Sequence, residues 1–264
     1  MKINGINIDY RDEGSGLPVV FLHAFPLNQT MWNEQVADLR HFCRTITVDL
    51  RGFGNSDVPP GPCSMDRMAS DVWGLMMALE IETAVLAGLS MGGYVSLAFY
   101  RNYPGAVRAM ILADTRASAD APTARQKRLN SAKKAETEGA SAIADEVVPQ
   151  LLGPSTLEHK PEIASRVRAM VEGNSPAGIA AAQRAMAERM DSTYILAGID
   201  CPVLIAVGAE DSLTPVAEAE ALRNGIPHSR MHVVPGAGHL SNLEQPADFN
   251  GALAEFIREL QKSR

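Results

Sequence analysis

Six short apolar segments alternate with helical patterns along the chain, and this alternation restricts the fold more than any other feature. Near-continuous apolar runs of this length are typical of strands that are covered on both faces. They are PVVFLH (18–23), TITVDL (45–50), TAVLAGL (83–89), VRAMILAD (107–114), PVLIAVG (202–208) and RMHVVPG (230–236). Helical patterns flank them at residues 31–39, 65–81, 91–104, 215–227 and 242–262. Strands that alternate with helices predict an α/β protein with a mostly parallel, doubly wound sheet.

Two regions depart from the alternation. The segment KINGINIDYR (2–11) predicts two short strands around the turn signal Asn4-Gly5. Residues 116–191 have no strand signal, are rich in alanine and contain no Phe, Trp or Tyr. Because this stretch is too long for an ordinary crossover, it predicts a helical cap (116–191) inserted into a core domain formed by residues 1–115 and 192–264.

Composition excludes several classes of function. The net charge of −7 and the absence of a long basic run argue against nucleic acid as a partner. The three cysteines, Cys43, Cys63 and Cys201, are widely spread, which argues against a disulfide framework and a zinc site. No segment has the length and apolarity of a signal peptide or a membrane span, so we expect a cytoplasmic protein without membrane contact.

The segment VLAGLSMGGYVSLAF (85–99) places Ser90 where an apolar strand turns into a helix. Glycines two residues before and after it, Gly88 and Gly92, suit a sharp turn that lifts one side chain clear of the sheet. The alternative is a simple strand–helix connection that happens to contain glycines. The position between strand and helix favours Ser90 as a nucleophile.

A serine nucleophile needs a base, and the base needs an orienting acid. Among the six histidines, His239 follows the last predicted strand in a glycine-bearing loop before the final helix. Asp211 emerges after the strand at residues 202–208, and Asp114, also at a strand end, is the rival acid. The order Ser90, Asp211, His239 is the one expected when a strand–helix elbow carries the nucleophile.

Five motifs in this order, HAFP, DLRGFGNSD, GLSMGG, GAEDSLTP and GAGH, resemble those of the α/β-hydrolases. The resemblance implies an oxyanion hole formed by the backbone N–H groups of Phe25 and Met91. It also implies a structural role for His23 and for the loop at residues 49–57. The chain departs from the commonest pattern at Ala24, where glycine is usual.

Within the family, the chain is similar to two groups: the 3-oxoadipate enol-lactonases and the small aryl esterases that act as cofactor-free haloperoxidases. This similarity implies a serine hydrolase for small carboxylic esters, with perhydrolysis as a side activity. Hydrolysis of an enol-lactone is the alternative. A ligand-binding receptor with slow residual hydrolysis is an alternative of another class. No cofactor or metal is expected, the partner is a small ester or lactone, and a homodimer is an open prediction.

The cap sequence bears on the choice of substrate. An anionic lactone needs a cationic anchor, for which Arg116, Arg125 and Arg128 are candidates, although a solvent-facing position is the simpler interpretation of all three. Three methionines, at positions 170, 186 and 190, either line an adaptable apolar pocket or belong to the core.

Overall fold

The computed structural model describes residues 1–262, and a seven-stranded sheet forms the centre of the fold. Its strands are β3 Tyr10–Gly14, β4 Pro18–Leu22, β5 Arg44–Val48, β6 Ala84–Leu89, β7 Val107–Ala113, β8 Val203–Gly208 and β9 Ser229–Val234. They lie in the order β3-β5-β4-β6-β7-β8-β9. Strands β4 to β9 are parallel to their neighbours, whereas β3 pairs antiparallel with β5. The predicted mostly parallel sheet is confirmed.

The amino-terminal segment differs from the prediction in one respect. Strands β1 (Lys2–Ile3) and β2 (Ile6–Asn7) form the expected hairpin, with Asn4 and Gly5 both at positive φ. The chain then leaves this hairpin, and β3 adds to the edge of the large sheet beside β5. Because the sequence has no turn signal between Asn7 and Tyr10, it did not predict that the second strand would be divided into β2 and β3.

Helices cover the sheet. Those of the core are α1 Asn33–Leu39, α2 Met65–Ala78, α3 Met91–Asn102, α9 Val216–Gly225, α10 Ser241–Glu244 and α11 Pro246–Lys262. Helix α3 is almost entirely buried, and α11 buries one apolar face that includes Phe249, Leu253 and Ile257. Burial of such a face supplies most of the stability of a helix in a protein. Within residues 1–262, no helix is long and apolar enough to cross a membrane.

Five α-helices and a short 3-10 helix (Thr193–Gly198) separate β7 from β8. The α-helices are α4 Pro122–Glu138, α5 Ala140–Leu151, α6 Pro154–His159, α7 Pro161–Glu172 and α8 Pro176–Ala187. We call them the cap helices. Asn174, between α7 and α8, contacts loops that follow the sheet strands: its Nδ2 donates to Pro26 O at 2.8 Å, and its side-chain oxygen accepts from Gly54 N at 2.7 Å. The division into a core (1–115 and 192–264) and a cap (116–191) stays a prediction, and residues 263 and 264 lie outside the described residues.

Candidate active site

Ser90 lies between β6 and α3 in a backbone conformation that side-chain-bearing residues rarely adopt, with φ 55° and ψ −111°. The turn is possible because the residues two positions before and after Ser90, Gly88 and Gly92, lack side chains. A Cβ at Gly92 would lie 2.0 Å from Leu22 O, and one at Gly88 would lie 2.2 Å from Gly92 O. The chain therefore holds the Ser90 side chain at the amino-terminal end of α3, where free N–H groups favour negative charge.

His239 lies next to Ser90. Its Nε2 atom is 2.8 Å from Ser90 Oγ, and its Nδ1 atom is 2.8 Å from Asp211 Oδ2. An ionised carboxylate only accepts hydrogen bonds, so Nδ1 carries the proton and Nε2 is free to accept the proton of the Ser90 hydroxyl. The structure brings together the three side chains that the sequence singled out.

The Asp211 carboxylate is held by more than the histidine. Its Oδ1 atom accepts from Leu213 N at 2.8 Å and Thr214 N at 2.9 Å, and Thr214 Oγ1 donates to Oδ2 at 2.7 Å. Burial alone would raise the pKa of Asp211, but the electrostatic interaction with His239 and the hydrogen bonds from His239 and Thr214 lower it below its ordinary value. Asp211 is therefore ionised and fixed in orientation.

Asp114, the rival acid, has different partners. Its Oδ1 atom accepts from Gly208 N at 2.8 Å, and its Oδ2 atom accepts from the Ser241 hydroxyl and, at 3.3 Å, from Ser241 N. Complete burial and the nearby charge of Asp211 raise the pKa of Asp114 well above its ordinary value. Asp114 connects β7 to β8 and α10, whereas His239 donates its Nδ1 hydrogen bond to Asp211.

The two residues expected to stabilise an oxyanion border the same site. Met91 is the first residue of α3, directly after Ser90, and Phe25 lines the cavity above Ser90. His23 fixes the loop that carries Phe25: its Nδ1 atom lies 2.9 Å from Ala24 O, and its Nε2 atom accepts from Leu50 N at 3.1 Å. Burial lowers the pKa of His23, so this histidine is neutral and both ring nitrogens are used in the loop.

The loop at residues 49–57 lies beside this site, and its polar side chains bind other parts of the core. Arg51 forms a buried ion pair with Asp71, with Nε 2.5 Å from Oδ2. Asp49 accepts from Gln29 N at 2.8 Å, and Asp57 accepts from Asn7 N at 2.7 Å. These contacts give the loop its shape.

A cavity of about 600 Å³ opens above Ser90 and His239, between the core and the cap helices. Its wall includes four basic side chains and one acidic side chain, namely Arg116, Lys127, Arg128, Lys134 and Glu146. The solvent-facing interpretation is thus wrong for Arg128, on α4, and for Arg116, which lies between β7 and α4, because both side chains line the cavity. It holds for Arg125, which is exposed.

Three arginines converge on one buried carboxylate, Asp120, and two of them, Arg116 and Arg128, line this cavity. Arg116 Nη2 lies 2.8 Å and Arg189 Nη1 2.7 Å from Asp120 Oδ1, and Arg128 Nε binds Oδ2. Burial alone would raise the pKa of Asp120, but Arg128 and Arg189 lower it. Four basic side chains and the acidic Glu146 line the cavity, and Asp120 adds one further negative charge beside them, so this wall is net positive in a chain whose overall charge is −7.

The cap methionines have different environments. Met186 lines the cavity, Met170 is buried among the cap helices, and Met190 is 56% exposed. Sequence reasoning missed Thr214 and Asp120. The Asp-x-x-Thr-Pro spacing before α9 resembles a helix-start signal and could have identified Thr214. No comparable pattern marks Asp120.

Within residues 1–262, no three or more His, Cys, Asp and Glu side chains form a cluster that could hold a metal ion.

Comparison with known proteins extends these findings. A solved thermophilic esterase from Thermogutta terrifontis, in a malate-bound form, has 43% identity and a TM-score of 0.95 over 97% of this chain and 94% of its own. 3-Oxoadipate enol-lactonase 2 of Acinetobacter baylyi is 33% identical over 91% of this chain and 88% of its own length. The solved enol-lactonase of Burkholderia xenovorans has 29% identity and a TM-score of 0.91, covering 98% and 99%.

The family described as alpha/beta hydrolase fold matches residues 18–246, which include β4 to β9 and all the residues discussed above from Phe25 to His239. The resemblance to the lactonase and esterase group is confirmed by the relatives. The chain belongs to the α/β-hydrolase family.

Proposed function

We propose that this chain is a serine hydrolase that cleaves small carboxylic esters, with Ser90 as nucleophile, His239 as base and Asp211 as the orienting acid. One observation carries the proposal: a continuous hydrogen-bonded chain runs from Ser90 Oγ to His239 Nε2 (2.8 Å) and from His239 Nδ1 to Asp211 Oδ2 (2.8 Å). Ser90, at one end of this series of hydrogen bonds, lines a cavity that can admit a small substrate.

The proposed reaction begins when Ser90 Oγ attacks the carbonyl carbon of the ester. His239 Nε2 takes the hydroxyl proton, and the buried Asp211 carboxylate stabilises the imidazolium. The carbonyl oxygen becomes an oxyanion, for which the N–H groups of Phe25 and Met91 are the proposed donors. Loss of one such donor typically costs about 100- to 1,000-fold in rate.

The tetrahedral intermediate collapses when His239 donates its proton to the leaving alcohol. The acyl group then remains on Ser90 Oγ as an ester. A water molecule, deprotonated by His239, attacks this ester and releases the carboxylic acid and the free serine. The same residues serve both halves of the reaction.

The second candidate function is hydrolysis of a lactone that carries a carboxylate. Arg116 and Arg128 line the cavity, and this cationic wall favours it. Burial alone would lower the pKa of the Arg116 guanidinium, but Tyr94, Asp120 and Glu218 raise it, so Arg116 is charged. The similarity to two enol-lactonases and to an esterase solved with malate adds support. In a lactone the leaving oxygen stays on the acyl chain, and the later steps are unchanged.

The first experiment is steady-state hydrolysis of p-nitrophenyl acetate, butyrate and octanoate, with Ser90→Ala as the blank. Turnover that depends on Ser90, at roughly 1 to 1,000 per second and with a preference for short chains, is the expected result. A burst of one equivalent followed by near silence would contradict it and would favour a ligand-binding receptor. Assays with an enol-lactone and with peroxide plus acetate then test the lactonase and perhydrolase activities.

A further inference from the structure

A short segment of the cap, residues 152–155, contacts both of the loops that carry His239 and Asp211. Gly153 N donates to Glu244 Oε2 at 2.8 Å, and Ser155 N donates to Glu210 Oε2 at 3.0 Å. The Ser155 hydroxyl donates to the other oxygen of Glu210. Glu210 directly precedes Asp211, and Glu244 lies five residues after His239. We call this segment the cap strut.

Two glycines allow the close approach of the cap strut to the His239 loop. A Cβ at Gly238, the residue before His239, would lie 2.2 Å from Gly153 N. A Cβ at Gly153 would lie 2.6 Å from Glu210 Oε2 and 2.8 Å from Gly238 N. The backbone of the cap strut therefore packs directly against the backbone that sets the position of His239.

Glu244 bridges the same two parts of the chain and is completely buried. Its Oε1 atom accepts from Leu240 N, the residue after His239, at 3.1 Å, while Oε2 accepts from Gly153 N at 2.8 Å. A second cap residue, Lys160, donates from Nζ to the Glu244 carbonyl oxygen at 2.6 Å. A buried carboxylate whose two oxygens bind two backbone N–H groups fixes their separation, because an unpaired group would carry a desolvation cost.

We propose that Glu244 and the cap strut position His239, so that the cap is part of the catalytic apparatus as well as the cover of the cavity. The inference rests on the proposed role of His239 as base. His239 is held on one side by Gly238, packed on Gly153, and on the other by Leu240, bound to Glu244. Leu151, next to the strut, lines the substrate cavity. Glu244 and the strut residues do not line it, so they act through His239 and not on substrate.

The first test is Glu244→Gln. Glutamine keeps one acceptor oxygen but points an NH₂ group at the second N–H donor, so one link between cap and His239 loop is lost. We expect kcat to fall roughly 10- to 100-fold, the size of effect caused by a misplacement of about 1 Å. KM should change little. Glu255→Gln, at an exposed position on α11, is the matched control and should retain full activity.

A second readout reports on His239 without substrate. The proton shared by His239 Nδ1 and Asp211 Oδ2 gives a downfield proton NMR signal, which should shift or broaden in Glu244→Gln and in Gly153→Ala. Gly198→Ala, where a Cβ meets nothing within 4 Å, is the control for the glycine substitution. If Glu244 and Gly153 were merely structural, their substitution would lower the melting temperature but leave this signal and kcat per folded molecule unchanged.

Ser155→Ala keeps the test decisive if either buried variant fails to fold, because Ser155 is exposed and its loss removes only the hydroxyl bond to Glu210. The inference is supported if kcat falls in Ser155→Ala by less than in Glu244→Gln and the NMR signal shifts in the same direction as in Glu244→Gln and Gly153→Ala. Wild-type kcat and an unmoved signal in these variants overturn it. Absence of Ser90-dependent turnover in the unmodified chain would instead overturn the proposed function, and the NMR signal would still decide whether the strut positions His239.

Discussion

Thr214 and His239 share one oxygen of Asp211. His239 Nδ1 lies 2.8 Å and Thr214 Oγ1 lies 2.7 Å from Oδ2, while Oδ1 is bound by the N–H groups of Leu213 and Thr214. The carboxylate thus has one orientation, and its position determines which nitrogen of the imidazole carries the proton.

Asp211→Asn should lower kcat about 10,000-fold at neutral pH. An asparagine that donates its NH₂ group to Nδ1 stabilises the tautomer with the proton on Nε2, which cannot accept from Ser90. The measurement is kcat for a p-nitrophenyl ester, with folding checked by circular dichroism. Asp114→Asn is the control and should retain much more activity, since Asp114 does not contact His239. The opposite ranking of the two variants would transfer the role of the acid to Asp114.

Thr214→Val should lower kcat with little effect on fold, because valine has the same shape but no hydroxyl for Asp211 Oδ2. A buried hydrogen bond to a charged group contributes about 1.5–3 kcal/mol, which corresponds to roughly 10- to 100-fold if the orientation of Asp211 depends on it. The measurement is kcat at several pH values. Thr214→Ser keeps the hydroxyl and should restore most of the activity; equal losses in both variants would contradict the prediction.

Asp114 should make the stability of the chain depend on pH. Burial and the charge of Asp211 raise its pKa in the folded state, whereas the unfolded value is about 3.9. Between these two values the folded state binds more protons than the unfolded state, so stability falls as pH rises through this window. The stabilisation by the protonated carboxyl is fully present below about pH 3.9 and is lost at higher pH.

Urea unfolding at a series of pH values from 4 to 8 measures this effect. The free energy of unfolding of the unmodified chain, minus that of Asp114→Asn, should decrease steadily as pH rises, because asparagine does not titrate. Titrating groups that do not interact with Asp114 are unchanged by the substitution and cancel in the difference; Asp211, which interacts with Asp114, is part of the measured effect. A difference that is constant over the whole range would show that the Asp114 carboxyl does not titrate differently on folding.

Much of the fold could be predicted because its signals are local. Buried parallel strands are continuous apolar runs, and the elbow at Ser90 needs glycines at fixed spacing, so both are visible in the sequence. The departure at β3 was not visible, because a polar strand of the sequence YRDEG on a sheet edge has no apolar signature. Edge strands are exposed on one side and tolerate such residues.

The site could be predicted only in part, for a similar physical reason. Ser90, Asp211 and His239 each end a recognisable strand or motif. The contacts of Asp120, Glu244 and Gly153 instead join segments far apart in sequence, and they depend on how the cap helices pack on the core. The side of α4 that faces the cavity was equally hidden, because this helix is polar nearly all round and its pattern does not identify a buried face.

The cationic wall leads to a prediction about substrate choice. Arg128→Met should lower kcat/KM about 10- to 100-fold for an ester whose acyl chain ends in a carboxylate, such as p-nitrophenyl hydrogen glutarate, because a charge-assisted hydrogen bond is lost. For the neutral ester p-nitrophenyl butyrate, kcat/KM should fall less than it does for the charged ester. Asp120 keeps Arg116 and Arg189 as partners, so the fold should survive.

Arg125→Met, the same change at an exposed position of α4, is the control and should affect neither ester. Equal losses for both esters in Arg128→Met would show that Arg128 supports the cavity without recognising charge, and a neutral ester would then be the better substrate class.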